Sequence, residues 1–163
     1  MAVLKYWDGT AWVPVPANPP APQPRVELDY TNATPLPLPN ATHVIIPWDT
    51  EMSDIYGMHD NAVNPTRVTI PSGLDGVWLV TASLWYASNA TNARYTRILK
   101  NGIAIWEEIR AGTAGGVATI VTMSVPLVLV AGDYIEFSAY QNSTSALTVP
   151  AGTPSLMMVR MST

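Results

Sequence analysis

Cysteine is absent from the 163 residues, which excludes disulfides and thiolate chemistry, both as metal ligation and as redox switching. Charge is sparse: eight Lys and Arg against twelve Asp and Glu leave a net charge of −4, with no basic stripe to neutralise phosphates. Nucleic acid is therefore not an expected partner. Histidine occurs twice, His43 in an apolar run and His59 in IYGMHD, at a spacing that fits no zinc motif. Long apolar runs are missing too, and MAVLKYWDGT has neither the basic region nor the continuous apolar stretch of a signal peptide. The chain is expected neither to span a membrane nor to carry a secretion signal. No Gly-x-Ser-x-Gly elbow occurs. Glu107 and Glu108 are adjacent in a strand-like run, so their side chains leave on opposite faces and make no acid–base pair. Asp49, Glu51, Asp54 and Asp60 crowd together, but DTEMSD is not the spacing of a calcium loop. The glycine run AGTAGG (residues 111–116) lacks the strand-then-helix context that cradles phosphate and reads as a flexible loop. No catalytic residue, cofactor or metal is expected, and the chain does not read as an enzyme.

What is present is proline, unevenly placed. Nine of the fifteen prolines fall in residues 14–39, which predicts an extended arm carrying neither a helix nor a central strand. Ahead of it, in KYWDGTAWV, Asp8-Gly9 is a two-residue hairpin turn between aromatic-rich strands. That turn pairs Tyr6 with Ala11, Trp7 with Thr10 and Lys5 with Trp12, and sets the two indoles diagonally on one face. An isolated ribbon is marginal in water, so one bearing two exposed indoles should dock on something. The predicted organisation is an anchoring hairpin over residues 1–13, a proline-rich arm over 14–39 and a head over 40–163. The anchor candidates are Tyr6, Trp7, Asp8, Gly9, Trp12, Pro14 and Pro16.

The head alternates short apolar runs with turn residues and holds no helical period, an all-β pattern suited to a jelly-roll sandwich. In VWLVTASLWY, Trp78, Val80, Ala82, Leu84 and Tyr86 share one face, predicted to be core. Leu79, Thr81, Ser83 and Trp85 share the other, where Trp85 needs a neighbouring subunit or a loop to cover it. Asn101-Gly102 turns one strand into its antiparallel neighbour, and Ala131-Gly132-Asp133 leads into YIEFSAY. Trp85, Phe137, Met157 and Val159 are the candidates for a subunit interface. Asn89, Asn92, Arg94 and Thr113, in loops 88–94 and 111–116, are the candidates for ligand contact.

Three motifs in order, Gly76 to Trp78, Lys100 to Gly102 and Gly132 to Tyr134, resemble the Gly-x-aromatic strand, Lys-Asn-Gly hairpin and Gly-Asp-Tyr turn of the complement C1q and tumour necrosis factor superfamily. The resemblance covers residues 34–162; Trp78 stands where the family usually has Tyr or Phe, and no collagen-like Gly-X-Y period is present. It implies a ten-stranded jelly roll that assembles as a homotrimer, in which outward apolar residues such as Trp85 become buried. Separately, KYWDGTAWVPV resembles the Trp-Asp-Gly-x-x-Trp openings of many tailed-bacteriophage structural proteins. Together the two likenesses imply a phage virion surface protein made in the host cytoplasm: a capsid decoration, cement or head-fibre protein. Its implied partners are further copies of itself and the major capsid or other virion proteins. The alternative is a tail-fibre or receptor-binding head that recognises a host surface glycan or protein and serves host attachment. In such a setting the Asn-x-Ser/Thr triplets at Asn32, Asn40, Asn89 and Asn142 are polar loop sequence rather than glycan acceptors.

Overall fold

The computed structural model describes residues 5–14 and 22–162, and every regular element among them is a strand. In chain order these are β1 (Lys5–Trp7), β2 (Trp12–Pro14), β3 (Arg25–Asp29), β4 (Leu36–Leu38), β5 (Val44–Ile45), β6 (Thr50–Asp54) and β7 (Val68–Thr69). They continue with β8 (Gly76–Tyr86), β9 (Ala93–Lys100), β10 (Ile103–Ala111), β11 (Thr119–Leu129), β12 (Tyr134–Gln141), β13 (Leu147–Val149) and β14 (Ser155–Ser162). β1 and β2 form a ribbon of their own. The head is a sandwich of two antiparallel sheets, one in the order β11-β8-β14-β3-β6, the other β10-β9-β12-β5 with β7 also paired to β12. β4 and β13 add a small two-stranded pair.

The core is where the alternation in β8 places it: Trp78, Val80, Ala82, Leu84 and Tyr86 are all buried. From the facing sheet come Ile98, Ile135, Phe137 and Ala139, with the Phe137 ring edge-on to Trp48 at 6.2 Å. Phe137, a candidate for the subunit interface, is therefore enclosed by its own sandwich. Its strand alternates Ile135, Phe137 and Ala139 inward against Glu136, Ser138 and Tyr140 outward. Residues 14–39 also differ from an uninterrupted arm. Arg25–Asp29 contains no proline and pairs with β14 on one side and β6 on the other, while Pro37 is tolerated because β4 pairs only with β13.

The sequence motifs acquire physical reasons. Gly76 opens β8 at φ +149°, against the β14 irregularity between Arg160 and Ser162; a Cβ there would lie 2.1 Å from the Ser162 carbonyl oxygen. Lys100 to Gly102 and Gly132 to Tyr134 form one cluster. The Asn101 side-chain amide donates to Asp133 Oδ1 at 2.7 Å, the Tyr134 N–H donates to Asn101 Oδ1 at 2.9 Å, and Lys100 Nζ lies 2.7 Å from Asp133 Oδ2. The Lys100 ammonium, followed by the N–H groups of Val130 and Asn101, holds the Asp133 carboxyl down at about 2 against an ordinary 3.8. Because the folded value is depressed, this carboxylate's contribution is complete above pH 3.8 and disappears as the pH falls through 2. Asp133→Asn, which sets a donor amide against the Val130 N–H and the Lys100 ammonium, should cost about 2 kcal/mol at neutral pH. Melting temperatures measured from pH 5 to pH 2 should show the gap between native chain and variant closing. A gap that stays constant would show that the carboxylate does not bear on stability.

Candidate functional site

The β1–β2 ribbon turns differently from a two-residue hairpin. Trp7 pairs directly with Trp12, Tyr6 with Val13 and Lys5 with Pro14, so Asp8 to Ala11 form a four-residue connection. Asp8 is the reason: its Oδ1 accepts from the N–H groups of Ala11 at 2.7 Å and Thr10 at 2.8 Å and from the Thr10 hydroxyl, widening the turn around the carboxylate. Those bonds, the Ala11 N–H foremost, lower the Asp8 pKa. The two indoles meet edge-to-face at 5.7 Å, directly opposed rather than diagonal, and remain 54% and 64% exposed; Tyr6, on the other face of the ribbon, is 51% exposed. Gly9 adopts φ +101° within the turn. Among the described residues no hydrogen bond joins this ribbon to the head. Of the anchor candidates Pro16 lies outside the described residues, as does all of the run from 15 to 21.

In the head, strand registers define two ends. Arg25 of β3, Gly76 of β8, Ser162 of β14 and Leu129 of β11 come together at the end where the chain enters, with Asn101 and Asp133. Asn89, Asn92, Arg94 and Thr113 gather at the opposite end, with residues 142–145. Asn92 Nδ2 donates to the Asn142 carbonyl at 2.8 Å, Ser88 Oγ to the Thr113 carbonyl at 3.1 Å, and the Gly116 N–H to Ser88 Oγ at 3.2 Å. The glycine run is thus hydrogen-bonded to Ser88 and, through the Thr113 N–H, to Thr119. Arg94 is fully buried beneath these loops and donates to the Asn89, Thr91 and Ala93 carbonyls, so it organises them from below instead of facing a ligand. Its Nε is one of two buried polar atoms without a partner among the described residues, and burial lowers its pKa. A Cβ on Gly112 would lie 2.2 Å from the Asn89 carbonyl oxygen, so only glycine lets this loop close over the guanidinium. The exposed residues of these loops include Thr91, Asn92, Ala114, Val117, Thr144 and Ser145, with no charge or aromatic ring among them.

Three of the four interface candidates share one surface. Trp85, Met157 and Val159 lie on the outward face of the β11-β8-β14 half of their sheet, where register places Met157 beside Thr81 and Val159 beside Leu79. β11 contributes Ile120, Thr122, Ser124, Pro126 and Val128 to this face. Thr81 with Ser124 at 2.8 Å and Ser83 with Thr122 at 3.2 Å form a hydroxyl ladder down its centre. Across these three strands the face carries no charge; charges begin on β3 with Arg25, Glu27 and Asp29. Depletion of charge is a compositional mark of interface cores, whereas half-apolar character alone is common to protein surfaces. The neighbouring edges add apolar groups that alternation did not single out, Ile103 at 70% and Trp106 at 50% exposed on β10.

The acidic residues do not converge. Asp54 accepts the N–H groups of Tyr56 and His59 and Asp60 those of Ala62 and Val63, each closing its own turn, while Asp49 ties down the separate loop at Thr31 and Asn32 by accepting their N–H groups. Among the described residues no group of three or more His, Cys, Asp or Glu is placed to hold a metal ion. Glu107 pairs with Arg97 and Glu108 with Arg110, in line with their opposite faces.

No family model and no curated protein matches the sequence. Solved structures do. The globular domain of zebrafish complement 1qA superposes with a TM-score of 0.62 at 10% identity, over 86% of this chain and 98% of that one. Eiger TNF from S. frugiperda gives 0.62 at 10%, over 86% and 94%, and murine APRIL at pH 5.0 gives 0.63 at 12%, over 85% and 99%. From about residue 22 onward, the chain has the C1q/TNF-like jelly-roll fold.

Proposed function

We propose that this chain is a structural protein of a tailed-phage particle: a trimeric capsid decoration, cement or head-fibre protein whose N-terminal ribbon grips its neighbours while the head projects. The observation that carries the reading is the ribbon, with Tyr6, Trp7 and Trp12 all more than half exposed and its turn made rigid by Asp8. Aromatic side chains held this openly bring large contact area at little entropic cost on docking. The chain enters the head at the end opposite the loops of Asn89 and Thr113, a polarity suited to attachment at one end and display at the other. Trimerisation is supported by two different unpartnered surfaces on one molecule. A closed ring joins unlike patches, and the neutral face of β8, β11 and β14 is complemented by the β10 edge with Ile103 and Trp106.

The anchor is tested by mixing particles lacking this protein with the full chain or with a chain beginning at residue 22. Residue 22 is the right start because β3 and β4 belong to the sandwich. The full chain should co-sediment with particles, and the shortened chain should stay in the supernatant while keeping its oligomeric mass. Equal occupancy by the shortened chain would refute the anchor.

A further inference from the structure

The outward face of the other sheet carries a pattern that neither anchoring nor trimer formation uses. Register sets Ile109 of β10 beside Tyr95 of β9, and Tyr95 beside Tyr140 of β12. His43 follows, next to the Ala139–Val44 pair. The rings touch in sequence: Tyr95 meets Tyr140 edge-on with centroids 5.1 Å apart, and His43 tilts over Tyr140 at 4.6 Å. At roughly 4.8 Å between strands, the row is roughly 14 Å long. One pair further along the strands runs a polar row, Glu107, Arg97 and Ser138. Arg97 and Glu107 form an ion pair and border an open recess of about 410 Å³ with Ala104, Ile105 and Trp106. Burial, then the Arg97 charge, lowers the His43 pKa, so the ring that closes the row is neutral at pH 7. Among the described residues neither the Tyr95 nor the Tyr140 hydroxyl donates a hydrogen bond within the chain.

We propose that this face binds a neutral oligosaccharide, laid along Tyr95, Tyr140 and His43 with its hydroxyls turned to Arg97 and Glu107; Ser138, the third residue of the polar row, is buried and lies under His43. Pyranose rings present an apolar C–H side that packs on aromatic faces and a rim of hydroxyls that both donate and accept. A row of rings bordered by one cation and one anion supplies both halves. The ion pair cancels its own charge, which leaves nothing to select for an anionic sugar. The loops at the far end of the head expose Thr91, Asn92, Thr144 and Ser145 but no ring, so they lack the apolar half. Strands hold every contributing side chain except His43, which directly precedes β5, so little ordering accompanies binding. Three such faces on one trimer would raise a weak single-site affinity on a sugar-coated surface by about 10²–10⁴. The inference stands apart from the anchoring ribbon, and either can fail without the other.

The test is binding of the full chain to immobilised neutral oligosaccharides built from glucose, galactose or N-acetylglucosamine, with anionic glycans alongside. A neutral sugar should bind, and Tyr95→Phe/Tyr140→Phe, which keeps both rings and the fold but removes two donors, should weaken it about tenfold. Arg97→Gln should weaken it as well. Absence of binding to every neutral sugar, binding to anionic glycans alone, or affinity unchanged in the double variant would each overturn the proposal.

Discussion

Replacing Gly76 by alanine should cost the head about 3–4 kcal/mol, a large effect for a single methyl group. Two costs add. The backbone at φ +149° is one that side chains with a Cβ rarely adopt, worth about 1–3 kcal/mol. The new methyl carbon would also stand 2.1 Å from the Ser162 carbonyl oxygen, a backbone atom of the adjacent strand that cannot turn aside as a side chain would. Relief requires β8 and β14 to separate where Arg160 bonds the Asp75 carbonyl and the Trp78 indole donates to the Leu74 carbonyl at 3.1 Å. Urea denaturation checks this. Gly132→Ala is the comparison, because Gly132 also has a positive φ, +86°, but nothing within 4 Å of a Cβ. It should lose only the smaller strain cost. Equal losses at the two positions would show that the contact with Ser162 does not matter.

Phe137→Ala should destabilise the fold by about 3–4 kcal/mol and leave assembly otherwise intact. The ring is fully buried, edge-on to Trp48, and lies between the two sheets. Its removal leaves a cavity that well-packed neighbours fill only partly. Trp85→Ser should do the reverse, because the indole is 39% exposed on the outward sheet face and contributes little inside its own chain. The stability of the isolated chain should move by less than about 1 kcal/mol, while the tendency to associate falls. Unfolding curves combined with sedimentation separate the two outcomes. If Phe137→Ala dissociated a still-stable chain, the placement of the interface would be wrong.

The sequence made the central strand plain, because VWLVTASLWY alternates cleanly and the whole of its apolar set is buried. Asn101-Gly102 was equally legible: both residues have positive φ, and Lys100 pairs with Ile103 across a two-residue turn. Asp8-Gly9 has the same appearance, yet there the carboxylate bonds the following N–H groups and moves the register by two residues. Phe137 was legible as core, because Ile135, Phe137 and Ala139 alternate with the polar Glu136, Ser138 and Tyr140, and its assignment to a subunit interface set that alternation aside. Arg94 carried a signal that composition obscured, since it shares parity with Thr96 and the buried Ile98 and so points inward. Proline density concealed β3, because five proline-free residues are enough for a strand when prolines crowd both sides. The aromatic row of Tyr95, Tyr140 and His43 had no local signature at all, being assembled from three strands far apart in sequence.

The most direct test of the account is the mass of the chain in solution by light scattering. Association through the neutral face of β8, β11 and β14 predicts about three times the 17.6 kDa chain mass, falling to a single chain when Val159 is replaced by aspartate. A native chain that remains a single copy at tens of micromolar, or a Val159→Asp variant whose mass does not change, would contradict it.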